Sequence, residues 1–369
     1  MKIKYIILVL VAASLVSCTT TDDSNGIPYV SYFNEEVTSA DDGVMRDITS
    51  MQLTSEMGTG INLGNTLDTK DEDLTVWGNP IPTKEMIDAF AARGFKTLRI
   101  PVTWQYHMED TTPYKIEKSW LDLVMRVVNW ARENNMYVII NTHHEEEWLI
   151  PTYEKEDEVI SRITSLWTQI ANRFKDYSDY LIFETLNEPR HKDTPEEWSG
   201  GTAEGRDVVN KYHKAALDAI RNTGGNNLKR HVMVSTYAAS AVQEAYDDYV
   251  IPNNDERVIV SLHHYVPFGF ALGGLTNQWG TDEEKAELDA LFDRIHDKWI
   301  SQGRAVVMGE WGAFNDNIDA RLEHAEYYAN GCASTGIVAV WWDTGGLMDR
   351  RTLIWPEGNI ADVLVNATK

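Results

Sequence analysis

Residues 181–190 read Leu-Ile-Phe-Glu-Thr-Leu-Asn-Glu-Pro-Arg. The stretch opens as an apolar strand, stops at the turn former Pro189, and places Glu184, Asn187 and Glu188 at or near the strand end. Acids are rarely carried into an apolar strand unless something there pairs with them or uses them. Glu184 lies before the rim and is expected to be structural, pairing with Arg99 or another polar group inside the fold. Glu188 is expected to face a cleft.

Working outward, seven more short apolar runs have the same character: 60–63, 97–100, 137–140, 232–234, 258–262, 305–308 and 337–341. Between them lie patterns with three- and four-residue spacing. Trp120, Val124, Val127, Val128 and Ala131 form one, and Ile160, Ile163, Trp167, Ile170 and Phe174 another. Pro82-Thr83 and Gly94 bracket a further helix over 84–93. Eight strands alternating with helices predict an α/β protein whose parallel sheet closes as a (β/α)8 TIM barrel. Functional residues of such a barrel gather where the strands end, at its C-terminal mouth. Polar residues stand there: Asn62, Arg99, His143 and His144, Asn187 and Glu188, His263 and Tyr265, Glu310, and Trp342 with Asp343. Strand five offers only Ser235, Thr236 and Tyr237.

The net charge of −24 argues against a nucleic-acid partner, because phosphate binding depends on Lys and Arg. Thirteen Trp and sixteen Tyr suit a surface that stacks flat apolar faces such as sugar rings. Lys2 and Lys4, the apolar run 6–15 and Leu-Val-Ser-Cys at 15–18 read as an export signal over residues 1–17 with lipid attachment at Cys18. Residues 18–44 read as a tether and lead-in, and 45–369 as a single catalytic domain. No later run reaches the roughly 18 apolar residues that span a bilayer, so membrane contact is expected through the lipid alone. With Cys332 the only other cysteine, no internal disulfide is expected in the processed chain.

Glu188 and Glu310 end strands four and seven, so they can face each other across the mouth. Paired carboxylates are the equipment of glycoside hydrolysis: about 5–5.5 Å apart for retention, about 6.5–9.5 Å for inversion. Arg99 would hold the nucleophile ionised, and the acid partner should have a raised pKa. The run His143-His144-Glu145-Glu146-Glu147 lacks the helical His-Glu-x-x-His spacing of a zinc site, and no metal is expected.

The motifs GINLGNTLD (60–68), WGNP (77–80), FKTLRIPVTW (95–104), NTHHE (141–145), FETLNEPR (183–190), HHY (263–265), GEWG (309–312) and WWDTGG (341–346) resemble glycoside hydrolase family 5, most closely its subfamily 4. That resemblance implies a retaining endo-β-1,4-glucanase of cellulase or xyloglucanase type with no cofactor. It makes Glu188 the acid/base, Glu310 the nucleophile, Arg99 the residue that positions Glu310, and Asn187 the partner of the sugar 2-hydroxyl. His143, His263 and Tyr265 surround the cleaved sugar, and Trp342 lies beneath it, with Trp341 in the core. His144 and Asn62 are further sugar contacts. Trp311 and Thr344 depart from the family pattern and are expected to line the cleft. So are some of the loop aromatics Trp148, Tyr153, Phe268, Phe270 and Trp279. The implied substrate is β-glucan or xyloglucan; xylan or mannan, or a non-catalytic glycan-binding role, are the alternatives. The acidic segment after Cys18 resembles the export signal of surface lipoproteins, implying the outer-membrane surface, and the single barrel is expected to be a monomer.

Overall fold

The structure is a computed structural model and describes residues 36–368. Eight strands form a closed parallel barrel: β1 (Gly60–Asn62), β2 (Thr97–Ile100), β3 (Tyr137–Asn141), β4 (Leu181–Glu184), β5 (Val232–Ser235), β6 (Val258–His263), β7 (Val306–Trp311) and β8 (Val338–Trp341). Each pairs with its sequence neighbour, and β8 returns to β1 through Gly60↔Val340 and Ile61↔Trp341. The predicted strands are all present.

Every strand residue is buried, as continuous apolar runs require when helices cover one face and the barrel interior the other. The expected stripes do that covering. In helix Lys118–Glu133 Trp120, Val124, Val127, Val128 and Ala131 are all buried, and in Glu156–Arg173 so are Ile163, Trp167 and Ile170. Burying a large apolar side chain is worth about 1.5–3 kcal/mol, so these faces hold the helices in place. Gly94 ends helix Lys84–Arg93 at φ 112°, a left-handed position where its N–H reaches the carbonyls of Phe90 and Ala91. The unit after β5 departs from the eightfold pattern. Its helix is only Gln243–Asp247, which leaves that sector of the mouth to loops.

The interior is layered by the two-residue period of the strands. Leu53 and Met57 of helix Ser50–Met57 pack at the N-terminal end with Ile139, Ile182, Met233, Ile259 and Val307. Two residues further along the same inward faces come Asn141 on β3, Glu184 on β4 and Ser261 on β6. The barrel is therefore apolar at its floor and polar at its mouth. Phe183, between Ile182 and Glu184, points outward and packs on Trp167, with ring centroids 5.4 Å apart.

The lead-in is more than a tether. Val37 is buried, and the carboxylate of Asp41 accepts from Arg132 Nε (2.6 Å) and from the backbone N–H and hydroxyl of Ser178. The packed body thus begins by Val37, earlier than the expected residue 45. The expected signal segment, 1–17, and Cys18 lie outside the described residues. Among the described residues no helix is long and apolar enough to cross a membrane.

Candidate active site

Arg99 is wholly buried in the polar layer, and its donors are distributed over four side chains. Nε donates to Glu184 Oε2 (2.8 Å), Nη1 to Asn62 Oδ1 (2.9 Å) and Glu310 Oε1 (2.9 Å), and Nη2 to Asn187 Oδ1 (2.7 Å). Burial alone would lower the guanidinium's proton affinity, but Glu184 and Glu310 outweigh it and raise it. Glu184 is the structural acid expected: Ser261 Oγ (2.6 Å) and Asn141 Nδ2 (3.0 Å) complete its shell.

One expected substrate contact, Asn62, is corrected here, and Arg99 keeps its expected role of positioning Glu310. Arg99 has no exposed surface and acts through Glu310 and Asn187 rather than on a sugar. Asn62 is equally buried. Its amide nitrogen is spent on the carbonyls of Gly309 (2.9 Å), Trp341 (3.2 Å) and Val340 (3.3 Å), so it braces the β1–β8 seam beside Arg99.

The other predicted residues converge. His143, His144, Asn187, Glu188, His263, Tyr265, Glu310 and Trp342 line one cleft of about 900 Å³ at the C-terminal mouth. One carboxylate oxygen each of Glu188 and Glu310 and a ring nitrogen of His263 all lie within 4.8 Å of one another. That closeness fits the retaining arrangement, whose two acids stand nearer each other than those of an inverting enzyme. Glu310 is gripped at both oxygens, by Arg99 at Oε1 and by the Tyr265 hydroxyl at Oε2 (3.1 Å). Burial and the nearby acids push the Tyr265 phenol well above its usual range, so it remains a donor.

Proton placement differs from the expectation that Glu188 itself carries the raised pKa. His263 Nδ1 is 3.0 Å from Glu188 Oε1 and 3.7 Å from Glu310 Oε1. Burial opposes an imidazolium there, yet Glu310 and Glu188 outweigh it and raise His263. Burial likewise pushes Glu188 up, and the His263 bond and charge, with Arg190, pull it below its usual value. Glu188 and His263 thus shift in opposite directions across a single hydrogen bond. Glu310 is raised by burial and by Glu188, against His263 and Arg99. His143 is held neutral by burial, with His144 and Arg99 adding to the effect.

Trp342 and His143 lie parallel, 5.7 Å between centroids and 2° between planes. Gly64 makes room for that indole, since a Cβ there would come within 3.0 Å of it. Asp343 pins the loop behind by accepting from Arg350 and the Leu347 N–H. Trp341 is buried in edge contact with Trp311, 5.0 Å between centroids, as its alternate orientation requires.

Among the departures, Thr344 does line the cleft, whereas Trp311 does not. It is fully buried and stacked on Tyr328 at 4.2 Å. Phe268 lines the cleft; Phe270 and Trp279 are buried, and Trp148 spends its indole N–H on Glu145. Trp198, Phe314 and Leu272 also line it and were not anticipated. The available signal was their position in loops that follow β4, β7 and β6.

Among the described residues two sets of groups are close enough for a cation, Asp68-His143-His144 and Glu188-His263-Glu310. Both oxygens of Asp68 already accept backbone N–H groups, and the second set meets the guanidinium of Arg99 at 2.9 Å. Neither donor set suits a metal. The three glutamates of the 143–147 run part company: Glu145 is buried with its pKa pushed up to about 8, Glu146 pairs with Lys70 and His144, and Glu147 accepts from Tyr106.

Residues 55–347 match the family model described as Cellulase (glycosyl hydrolase family 5). The chain is 51% identical over 327 residues to Endoglucanase B of Clostridium cellulovorans, covering 84% of this chain and 74% of that one. It is 45% identical to the cellulase/esterase CelE of Acetivibrio thermocellus, covering 87% of this chain but only 41% of that longer protein. Among solved structures, ZgEngAGH5_4 in complex with a cellotriose superposes with a TM-score of 0.86 at 56% identity over 87% of this chain and 99% of that one. The GH5-4 broad specificity endoglucanase from Clostridium acetobutylicum gives 0.85 at 47% identity over 87% and 100%.

If His263 stores the acid's proton and restrains Glu310, His263→Asn should narrow the bell-shaped pH profile of kcat/KM from both sides. The alkaline limb should move to lower pH because Glu188 alone holds the proton less firmly. The acidic limb should move to higher pH because Glu310 loses a neighbouring positive charge. Limbs that stay in place in a pH series on a soluble glucan would contradict this assignment.

Proposed function

The chain belongs to glycosyl hydrolase family 5, a family of retaining enzymes, and from that premise we propose how its site cleaves internal β-1,4-glucosidic bonds of glucans. Glu310 attacks the anomeric carbon while Glu188 protonates the departing oxygen, which forms a glycosyl ester on Glu310 and frees the leaving chain. Glu188, now a carboxylate, then takes a proton from a water that hydrolyses the ester with a second inversion. The single observation that carries this reading is the closeness of Glu188 and Glu310 around His263. Arg99 acts twice. It neutralises and aligns Glu310, and by donating to Asn187 Oδ1 it leaves the amide N–H of Asn187 facing the cleft, ready for the sugar 2-hydroxyl. That bond strengthens in the oxocarbenium-like transition state and so accelerates the chemistry rather than only binding substrate.

Azide separates the two carboxylates. With an activated aryl β-cellotrioside, Glu310→Ala should be inactive until azide substitutes for the nucleophile in a single displacement and gives the α-glycosyl azide. Glu188→Ala should lose about 10²- to 10⁴-fold on natural glucan, far less on the activated substrate, and give the β-azide. Product configurations the other way round, read by NMR, would exchange the two roles.

We further propose that xyloglucan is a substrate alongside linear and mixed-linkage β-glucan. The cleft is open and its walls carry Phe268, Leu272 and Phe314, space and apolar surface beyond the needs of one unbranched chain. Timed product sizing on barley β-glucan, carboxymethyl cellulose, xyloglucan, xylan and mannan should show early release of long fragments from the first three. Inertness towards xyloglucan would remove it from the proposal.

The Leu-Val-Ser-Cys run supports a third element, anchoring by acyl chains on Cys18 at the outer-membrane surface. Stable attachment needs more than one chain. Cys18→Ser should move the protein from the membrane fraction to the soluble one, and continued retention would require a different anchor.

A further inference from the structure

Arg190, in the loop after β4, stands among three carboxylates. Its Nε donates to Glu197 Oε1 (2.8 Å), Nη2 lies 3.5 Å from Glu146 Oε1, and Nη1 donates to the backbone carbonyl of Glu188 (3.0 Å). The side chain of Glu188 is the farthest of the three, with Oε2 3.8 Å from Nη1. All four charged side chains are largely buried, so salt and water screen their attractions weakly.

The two acids that hold Arg190 are themselves fixed. Lys70, from the segment after β1, and His144, from the loop after β3, each reach Glu146 Oε1 at 3.1 Å. Burial would raise the Glu146 pKa, yet His144 and Lys70 bring it well below the usual carboxylate range, so it stays anionic at neutral and mildly acidic pH. On the other side Glu197 Oε2 accepts the Asp193 N–H (2.9 Å). Burial raises the Glu197 pKa, and the bonds from Arg190 and Asp193 more than reverse it.

A guanidinium beside a general acid is a hazard. A close ion pair at about 2.7–2.9 Å would fix Glu188 as a carboxylate, because a nearby opposite charge lowers a carboxyl pKa by about 1–3 pH units. Arg99 poses no such threat, being committed to Glu184, Asn62, Glu310 and Asn187. The other groups that face Glu188 are His263 on β6, Glu310 on β7, Tyr265 after β6 and His144 after β3, none of them a permanent cation. Arg190 is a permanent cation, and a small turn of its side chain would bring Nη1 onto Glu188 Oε2.

We propose, on the acid/base role given to Glu188 above, that Glu146 and Glu197 are positioning residues acting through Arg190: they draw its guanidinium off the Glu188 carboxylate and keep that group able to take up the proton it delivers. Arg190 then steadies the backbone of the acid/base through its carbonyl without capturing its side chain.

The test is the pH profile of kcat/KM on cellohexaose. Glu146→Gln keeps the shape of the side chain and removes its charge, which frees Arg190 to close on Glu188. The alkaline limb should move to lower pH by about one unit, the low end of the effect of a nearby cation on a carboxyl group. Glu197→Gln should move it the same way, so either variant serves if the other does not fold. Adding Arg190→Met should carry the limb back at least to its original position, because the cation responsible is gone. A limb that stays in place in either folded single variant, or a shift that Arg190→Met leaves untouched, would overturn the role. An activated dinitrophenyl β-cellotrioside, whose leaving group departs without a proton, tests the underlying assignment separately. The unaltered protein should show no alkaline limb with it, and a limb as on cellohexaose would overturn the acid role of Glu188 itself.

Discussion

The buried guanidinium of Arg99 is the constraint on which the site depends. It ties Glu184 on β4, Asn62 on β1, Glu310 on β7 and Asn187 beyond β4 to one rigid fork, so four parts of the barrel mouth share one geometry. Burying such charges carries a desolvation cost of several kcal/mol per ion, and the pairing offsets that cost without adding much net stability. What the arrangement secures is orientation. A point-like ammonium at this position could neutralise Glu310 but could not also aim Asn187.

Around that fork three carboxylates, Glu184, Glu188 and Glu310, meet Arg99 and His263. The three acids exceed the charge of Arg99 and His263, Arg190 adding a more distant one 3.8 Å from Glu188, and all of them are close together in a poorly solvated space. Glu184 is satisfied by Arg99, Asn141 and Ser261, which leaves the remaining imbalance to the two acids that do chemistry. His263 bridges them. A shift of one proton along a 3.0 Å contact converts Glu188 from carboxylate to acid without any backbone motion.

How much of this was legible depended on whether a feature is local. The strands and main helices were readable because their apolar periodicity is a property of neighbouring residues. The site residues were readable because a parallel barrel delivers all strand ends to one mouth. Trp341 and Trp342 could be separated by alternation alone. Asn62, Arg99 and Trp311 could not be assigned that way: whether a strand-end side chain meets a sugar or an internal partner depends on strands distant in sequence. The docking of Asp41 onto Arg132 is equally non-local, 91 residues apart. Trp198 sits in a loop without periodicity, so its place on the cleft wall depends on how that loop folds over the mouth.

The sequence by itself determined the (β/α)8 architecture, the pair Glu188 and Glu310, and the structural character of Glu184, because each follows from residue type and strand periodicity. Tertiary structure decided the rest: how close the two carboxylates come, which nitrogen of Arg99 serves which acid, that His263 bridges the pair, and which aromatics face the cleft. Those are distances between segments brought together only by closure of the barrel, and electrostatic interactions depend on distance and burial that no linear order encodes.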